Sequence, residues 1–298
     1  MVRRRTYISR LGITLLVVGI VGVLAAVSVL RMQSQTGRTT VVLMGEPVMV
    51  WSKDRSTKRV IRITLPKNTV IEGVHGYGMY SLESLWKLEE IEREYGAVLA
   101  SSMQEALGVP IPWFIGGKGE REGTLTWGSV LEYLRGGYRT NIPLPLLVSL
   151  IIETARTDQV EEVALTPNTA LTSQTLPDGT TRNVLDTSRV DILLGSLFED
   201  ESIRREGLSV AVYNTTDMAT LGNRAARILG HIGVFVVRVG NDTPTIDRCT
   251  ITGAKRVLAT TTATIIRELF GCETVEGAAE VADIDVRVGS TYQAKFLP

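Results

Sequence analysis

The run of hydrophobic positions divides the chain into an apolar segment near its start and a longer part of mixed pattern. Leu11 to Leu30 is twenty residues without a charge; as a helix rising about 1.5 Å per residue it spans the roughly 30 Å hydrocarbon core of a bilayer. A soluble helix keeps one polar face, and this one has none. Arg3, Arg4, Arg5 and Arg10 precede the segment, while only Arg31 and Arg38 follow closely. That bias keeps residues 1–10 in the cytoplasm and exports the rest. The competing reading is a cleaved signal peptide, but the apolar run exceeds the usual length and Leu24-Ala25-Ala26-Val27-Ser28 is a weak cleavage site. Residues 31–40 read as a polar tether. Ile142 to Ile152 is too short for a second span and carries Pro143 and Pro145.

Beyond the tether, Val41 to Met44, Val48 to Trp51 and the alternating Arg59 to Leu65 predict strands, with Asp54 to Lys58 as the hairpin loop. Pro66 to Thr69 ends the third strand, and a glycine-rich loop, Gly73 to Gly78, precedes a helical stretch over Ser81 to Leu107 stopped by Gly108-Val109-Pro110-Ile111-Pro112. Trp113 to Ile115 is a short strand, and Gly116 to Gly119 after it lacks the spacing of a phosphate loop. Thr126 to Leu134, Leu144 to Ala155 and Asp186 to Phe198 read as helices, and Thr166 to Thr181 as a surface loop or hairpin. The charged run 199–206 reads as a linker, which sets a domain boundary between 41–198 and 207–298. The last part alternates clearly: strand Leu208 to Tyr213, helix Met218 to Leu229, strands Val234 to Val239 and Thr250 to Thr252, helix Ala254 to Phe270, strand Ile284 to Val288. This βαββαβ order predicts a small ferredoxin-like two-layer sandwich, and the chain as a whole an α/β protein of the α+β kind with a mixed sheet.

Charge narrows the function. Lys plus Arg and Asp plus Glu each number 32, so no global field favours nucleic acid. His75 and His231 stand far apart with no second ligand at metal spacing, which argues against zinc, and no GxSxG motif supports a serine hydrolase. Cys249 and Cys272 either pair in an oxidising compartment or remain two buried apolar thiols, the plainer reading.

Two stretches carry a family likeness. Leu208-Ser-Val-Ala-Val-Tyr-Asn214-Thr-Thr-Asp, then Leu221-Gly222-Asn-Arg-Ala225-Ala-Arg-Ile-Leu229, Gly233-Val-Phe-Val-Val and Gly240-Asn241 resemble the LytR C-terminal domain, with Thr215 where the family has a turn glycine. Glu46 to Thr69, with Gly108-Val109-Pro110-Ile111 and Thr140-Asn141-Ile142, resembles the catalytic domain of the LytR-CpsA-Psr family. Those are membrane-anchored, extracytoplasmic bacterial enzymes that transfer glycopolymers from a polyprenyl-pyrophosphate lipid to the cell wall.

The resemblance implies a site in which acidic residues hold a divalent metal such as Mg2+ and arginines clamp pyrophosphate. This chain departs there. Glu46 stands where the family has Asp, and Pro66-Lys67-Asn68-Thr69 stands for Pro-Arg-Asp-Thr. Lys67 keeps a charge without the bidentate fork, and Asn68 lacks the negative charge a metal wants. Met79-Tyr80-Ser81-Leu82-Glu83 has no basic residue, and of the later arginines only Arg135 and Arg139 remain. The resemblance therefore implies Glu46, Lys67 and Asn68 as diverged catalytic positions, Glu46 as the metal ligand, and Lys67, Arg135 and Arg139 as pyrophosphate binders. The expected partners are the bilayer, polyprenyl-pyrophosphate glycolipid and cell-wall polymer. The expected function is a non-catalytic or weakly active binding or scaffold relative in cell-wall assembly, with an active phosphotransferase using Mg2+ as the alternative.

Overall fold

The computed structural model describes residues 37–297 except 55, 93–95, 118–125, 157–159 and 178. The apolar segment Leu11 to Leu30 lies outside the described residues; among those described, no helix is long and apolar enough to cross a membrane.

Strands β1 (Arg38–Met44), β2 (Val48–Asp54) and β3 (Val60–Leu65) form an antiparallel meander. Strand β6 (Trp113–Gly117) adds to β1 in parallel, and β8 (Val160–Ala164) adds to β3 in parallel. With β7 (Tyr138–Thr140) on the outside, the six strands run in the order β7-β6-β1-β2-β3-β8. Four of them, β1, β3, β6 and β8, therefore point the same way and end along one edge of the sheet. Both faces are buried, which is why Val41 to Leu43 is a continuous apolar run rather than an alternating one. Val42, Val50, Ile61 and Ile63 pack beneath α1 (Leu82–Glu92) and α2 (Ala97–Leu107). Val41, Leu43 and Trp51 pack on the other face against Leu146, Leu147 and Leu150 of α4 (Leu144–Arg156). Val130 and Tyr133 of α3 (Trp127–Leu134) join that second layer.

A smaller sheet, β5-β4-β10-β9, combines two hairpins: β4 (Val70–Gly73) with β5 (Gly78–Ser81), and β9 (Leu171–Thr175) with β10 (Thr181–Leu185). The glycine-rich loop is thus a tight hairpin turn. The helical stretch over Ser81 to Leu107 is two helices rather than one, because Gly96 sits at φ 83° at the start of the second, and a Cβ there would fall 2.0 Å from the Phe114 ring. The tether is shorter than its polarity implied, since Arg38 to Thr40 already belong to β1. Thr40 and Ser52 share a hydrogen bond of 2.8 Å between buried hydroxyls, and Arg38 reaches Asp54 at 3.3 Å, so polar strand residues find partners inside.

Helix α5 (Thr187–Leu194), N-capped by Asp186, leads to α6 (Glu201–Glu206). The charged run 199–206, expected as a linker, is thus largely helical. Asp200 caps it by accepting from the Ser202 and Ile203 amides, and Ile203 is buried. Charge alone misleads because only one residue of that turn faces the core.

The last module contains β11 (Ser209–Asn214), α7 (Leu221–His231), β12 (Phe235–Asn241), β13 (Thr250–Gly253), α8 (Lys255–Leu258), α9 (Thr261–Phe270), β14 (Glu273–Glu276), β15 (Ile284–Val288) and α10 (Ser290–Gln293). The ferredoxin-like expectation is corrected. The sheet runs β12-β11-β15-β13-β14, with β12 and β15 both parallel to β11, and only β13 and β15 antiparallel. In a ferredoxin-like sheet the first two strands are not neighbours. Element order does not fix pairing, and β14 leaves no sequence signal because its four residues are all exposed at the edge and show no apolar alternation. The plainer reading of the cysteines is also overturned: Cys249 and Cys272 form a disulfide, tying β13 to the end of α9.

Candidate functional site

The edge where β1, β3, β6 and β8 end is where an open α/β sheet offers ligands its strand termini. Glu46 follows β1 and Lys67 follows β3; Lys67 Nζ lies 3.0 Å from Glu46 Oε2, with the carboxylate side chain 60% exposed and the lysine 31%. Exposed Asn68 is next in chain. Arg135 caps the carboxyl end of α3 and is exposed; Gly136 and Gly137 then lead into β7, which starts at this same edge. Arg139 pairs with Gly116, which pairs with Met44, so its backbone stands two strands, about 10 Å, from the end of β1. The five residues named from the sequence thus share one end of one sheet, but direct contact joins only Glu46 and Lys67 among the contacts described.

The donor set that the described residues place there does not fit a resident divalent metal. Among the described residues no group of three His, Cys, Asp or Glu side chains is close enough to hold an ion. Glu46 is one carboxylate already engaged by an ammonium, and Asn68 contributes no charge. Nor is the start of α1 an anion cradle: the Leu82 and Glu83 amides donate to Thr69 O and Lys67 O at 2.9 and 3.1 Å, and the Ser84 amide to Ser81 Oγ. Lys67, Arg135 and Arg139 place three cationic side chains at this end of the sheet, beside the Glu46 carboxylate.

A second feature was not legible in the sequence. A cleft of about 540 Å³ opens between the two modules, lined by Trp113, Phe114, Phe198, Ile232, Ile265 and Lys295 among others. It also includes Arg38 and Thr40, so it lies at the opposite end of β1, about 20 Å from Glu46.

Beside the cleft the modules are joined by charge. Helix α2 ends at Leu107, and its last carbonyls face the last module. Arg227 of α7 donates to Glu105 O at 2.6 Å and Ala106 O at 3.0 Å, and pairs with Asp191 of α5 at 2.6 Å. His231 lies 3.0 Å from Gly108 O through Nδ1 and 3.4 Å from Asp191 through Nε2. A cation at a helix carboxyl end meets both its orphan carbonyls and its dipole. Burial lowers the His231 pKa below its ordinary 6.5, outweighing the opposing pull of Asp191. Further along, Tyr292 Oη donates to both Glu105 carboxylate oxygens, each at 3.2 Å. Burial raises the Glu105 pKa against the charge of Lys295 and the Tyr292 hydrogen bond, and burial lowers that of Lys295. Arg224 completes the seam, 2.8 Å from Glu72 and stacked on Phe296. Arg224, Arg227 and His231 recur at helical spacing on one face of α7. That basic stripe was the available signal, but a charged helix face ordinarily meets water.

Residues 207–292 match the family described as LytR cell envelope-related transcriptional attenuator, so the last module is similar to the LytR C-terminal domain. No curated protein matches the chain. Among solved structures, TagT of Bacillus subtilis aligns over 53% of this chain and 89% of its own, at 13% identity and a TM-score of 0.39. TagV of the same organism aligns over 52% and 94%, at 9% identity and 0.38. The Bacillus subtilis protein yvhJ, described as a transcriptional regulator, aligns over 53% and 94%, at 11% identity and 0.37. TagT has also been solved bound to LI-WTA.

Proposed function

We propose that this chain is a LytR-CpsA-Psr relative anchored in the membrane by Leu11 to Leu30. On this reading its N-terminus is cytoplasmic, and its two modules work in the cell envelope by binding a polyprenyl-pyrophosphate glycolipid without turning it over. The observation that carries the reading is the match of residues 207–292 to the LytR C-terminal family. The Cys249–Cys272 disulfide adds support, since such bonds persist in oxidising compartments and are rare in the cytosol. The binding role rests on the sheet edge. Lys67, Arg135 and Arg139 supply positive charge for a pyrophosphate, whereas Glu46 is held by Lys67 and, among the described residues, no group of three His, Cys, Asp or Glu side chains could hold a metal. Departure of a pyrophosphate leaving group needs its developing charge met by strong, pre-placed cations or a metal.

The second reading, an active phosphotransferase, is favoured by the shared location of Glu46, Lys67, Arg135 and Arg139. The test incubates the full-length chain with polyprenyl-pyrophosphate glycolipid and magnesium. Retention of the lipid, weakened in Lys67→Met and without phosphate release, supports binding. Release that vanishes in Glu46→Ala supports the enzyme, and the absence of both retention and release sinks both readings.

A further inference from the structure

Helix α3 carries three large exposed apolar side chains: Trp127 is 62% exposed, Leu131 51% and Leu134 64%. At about 100° per residue, positions i, i+4 and i+7 fall within an arc of roughly 60°. The stripe is therefore one continuous ridge. The rest of the helix is satisfied: Ser129 is buried, and Val130 and Tyr133 pack into the sheet's second layer. We infer that this ridge is a contact for the surface of a lipid bilayer, on the side of the membrane that carries the two modules.

The inference rests on the proposed anchor, and the length of the tether is its first support. Seven residues, 31–37, separate the apolar segment from β1; fully extended they reach roughly 25 Å at 3.3–3.6 Å each. The first module is therefore held within about one domain diameter of the membrane, at high effective concentration for any weak lipid contact. The second support is composition. Tryptophan favours the polar–apolar boundary of a bilayer, leucine inserts just below it, and exposed Arg135 at the end of the helix suits anionic headgroups. The third is size. Three partly exposed side chains present on the order of 300–400 Å², taking 150–250 Å² for a large side chain. That is under half of the ~800 Å² each partner gives to a stable protein interface, so a second copy of the chain is disfavoured. The helix ends, through Arg135, at the same end of the sheet as Lys67 and Glu46.

The experiment uses tryptophan emission. The chain has four tryptophans; Trp51 and Trp86 are buried and Trp113 is half-buried. The full-length chain is reconstituted in phosphatidylcholine–phosphatidylglycerol vesicles with brominated acyl chains. The expected result is quenching of up to one tryptophan's share of the emission. This quenching is lost in Trp127→Phe and at least halved in the double variant Leu131→Glu, Leu134→Glu, while circular dichroism and flotation with the vesicles stay unchanged. Equal quenching in Trp127→Phe, or no quenching in the parent chain, overturns the inference. So does efficient dimer crosslinking through Leu131→Cys, which assigns the ridge to a second copy. Flotation and glycolipid retention are read on the same vesicles. Flotation and retention without quenching sink the ridge alone, whereas failure to float sinks the anchored reading and this one together.

Discussion

Replacing Arg227 by methionine tests whether the modules are joined through the carboxyl end of α2. The substitution keeps the aliphatic stem and removes the guanidinium of a side chain that is 21% exposed. Two charge-assisted hydrogen bonds, to Glu105 O and Ala106 O, are lost. In partly buried surroundings each contributes about 1.5 kcal/mol, the low end of the range for charged partners. The pair with Asp191 adds less, because that carboxylate is 38% exposed and water replaces the partner. The expected sum is about 3 kcal/mol of coupling between modules, or roughly a hundredfold in the equilibrium for their separation at 1.4 kcal/mol per decade. Native-state hydrogen exchange reads it. The amide of Gly108, bonded to Gln104 O, and those of residues 231–234 exchange faster by that factor, while amides inside the sheets change little. Arg224→Met is the control. Its partner Glu72 is 56% exposed, so the loss stays below about 1 kcal/mol. Exchange at Gly108 unchanged within threefold in Arg227→Met refutes the argument.

Other consequences follow from the same contacts. His231 has a folded pKa below its unfolded 6.5, so its contribution is complete above 6.5 and is lost as pH falls through the folded value. In denaturant titrations the parent chain should therefore lose more stability from pH 7.5 to 4.5 than His231→Gln, and parallel losses refute this. The double variant Cys249→Ser, Cys272→Ser opens a link spanning 23 positions and should cost about 3 kcal/mol by chain entropy; an unchanged denaturation midpoint refutes it. Gly96→Ala combines a positive φ with a Cβ inside the Phe114 ring, and should destabilise by about 2–4 kcal/mol in the same titration.

Legibility in the sequence followed the reach of the interactions. Helices α3, α4 and α5 are local, and their caps at Thr126 and Asp186 and the periodicity of their apolar residues announce them. The β1–β2–β3 meander is equally local, with its loop visible from Asp54 to Lys58. Pairings between distant segments leave no such trace. Nothing in Glu273 to Glu276 marks an edge strand parallel to β13, and nothing at residue 38 shows that a polar tether has become a strand, until Asp54 and Ser52 across the sheet supply its partners. The candidate site was legible through resemblance, because Glu46 and Lys67 sit in matching segments; their ion pair was not. The seam between modules was hidden for a similar reason. Arg227 and His231 look like solvent-facing charge until the open end of α2, over a hundred positions away, is brought against them.

The Glu46–Lys67 pair gives the two functional readings opposite signs in one variant. A pyrophosphate bound at Lys67 competes with the Glu46 carboxylate for the same ammonium, 3.0 Å away. With Glu46 60% exposed and Lys67 31%, the pair contributes about 0.2–1 kcal/mol, the scale of a surface ion pair. If the edge only binds, Glu46→Ala removes one competing partner of Lys67 and a like charge from beside the ligand, and tightens glycolipid retention by about 1.4- to 5-fold. If the edge performs transfer, the same variant abolishes phosphate release, because the carboxylate paired with Lys67 is gone. Equilibrium binding to glycolipid vesicles at two salt concentrations separates the cases, since the gain at Lys67 is electrostatic and shrinks as salt rises. A Glu46→Ala chain that binds more weakly than the parent at low salt removes the basis for the binding reading, for then Glu46 assists the ligand rather than competing with it.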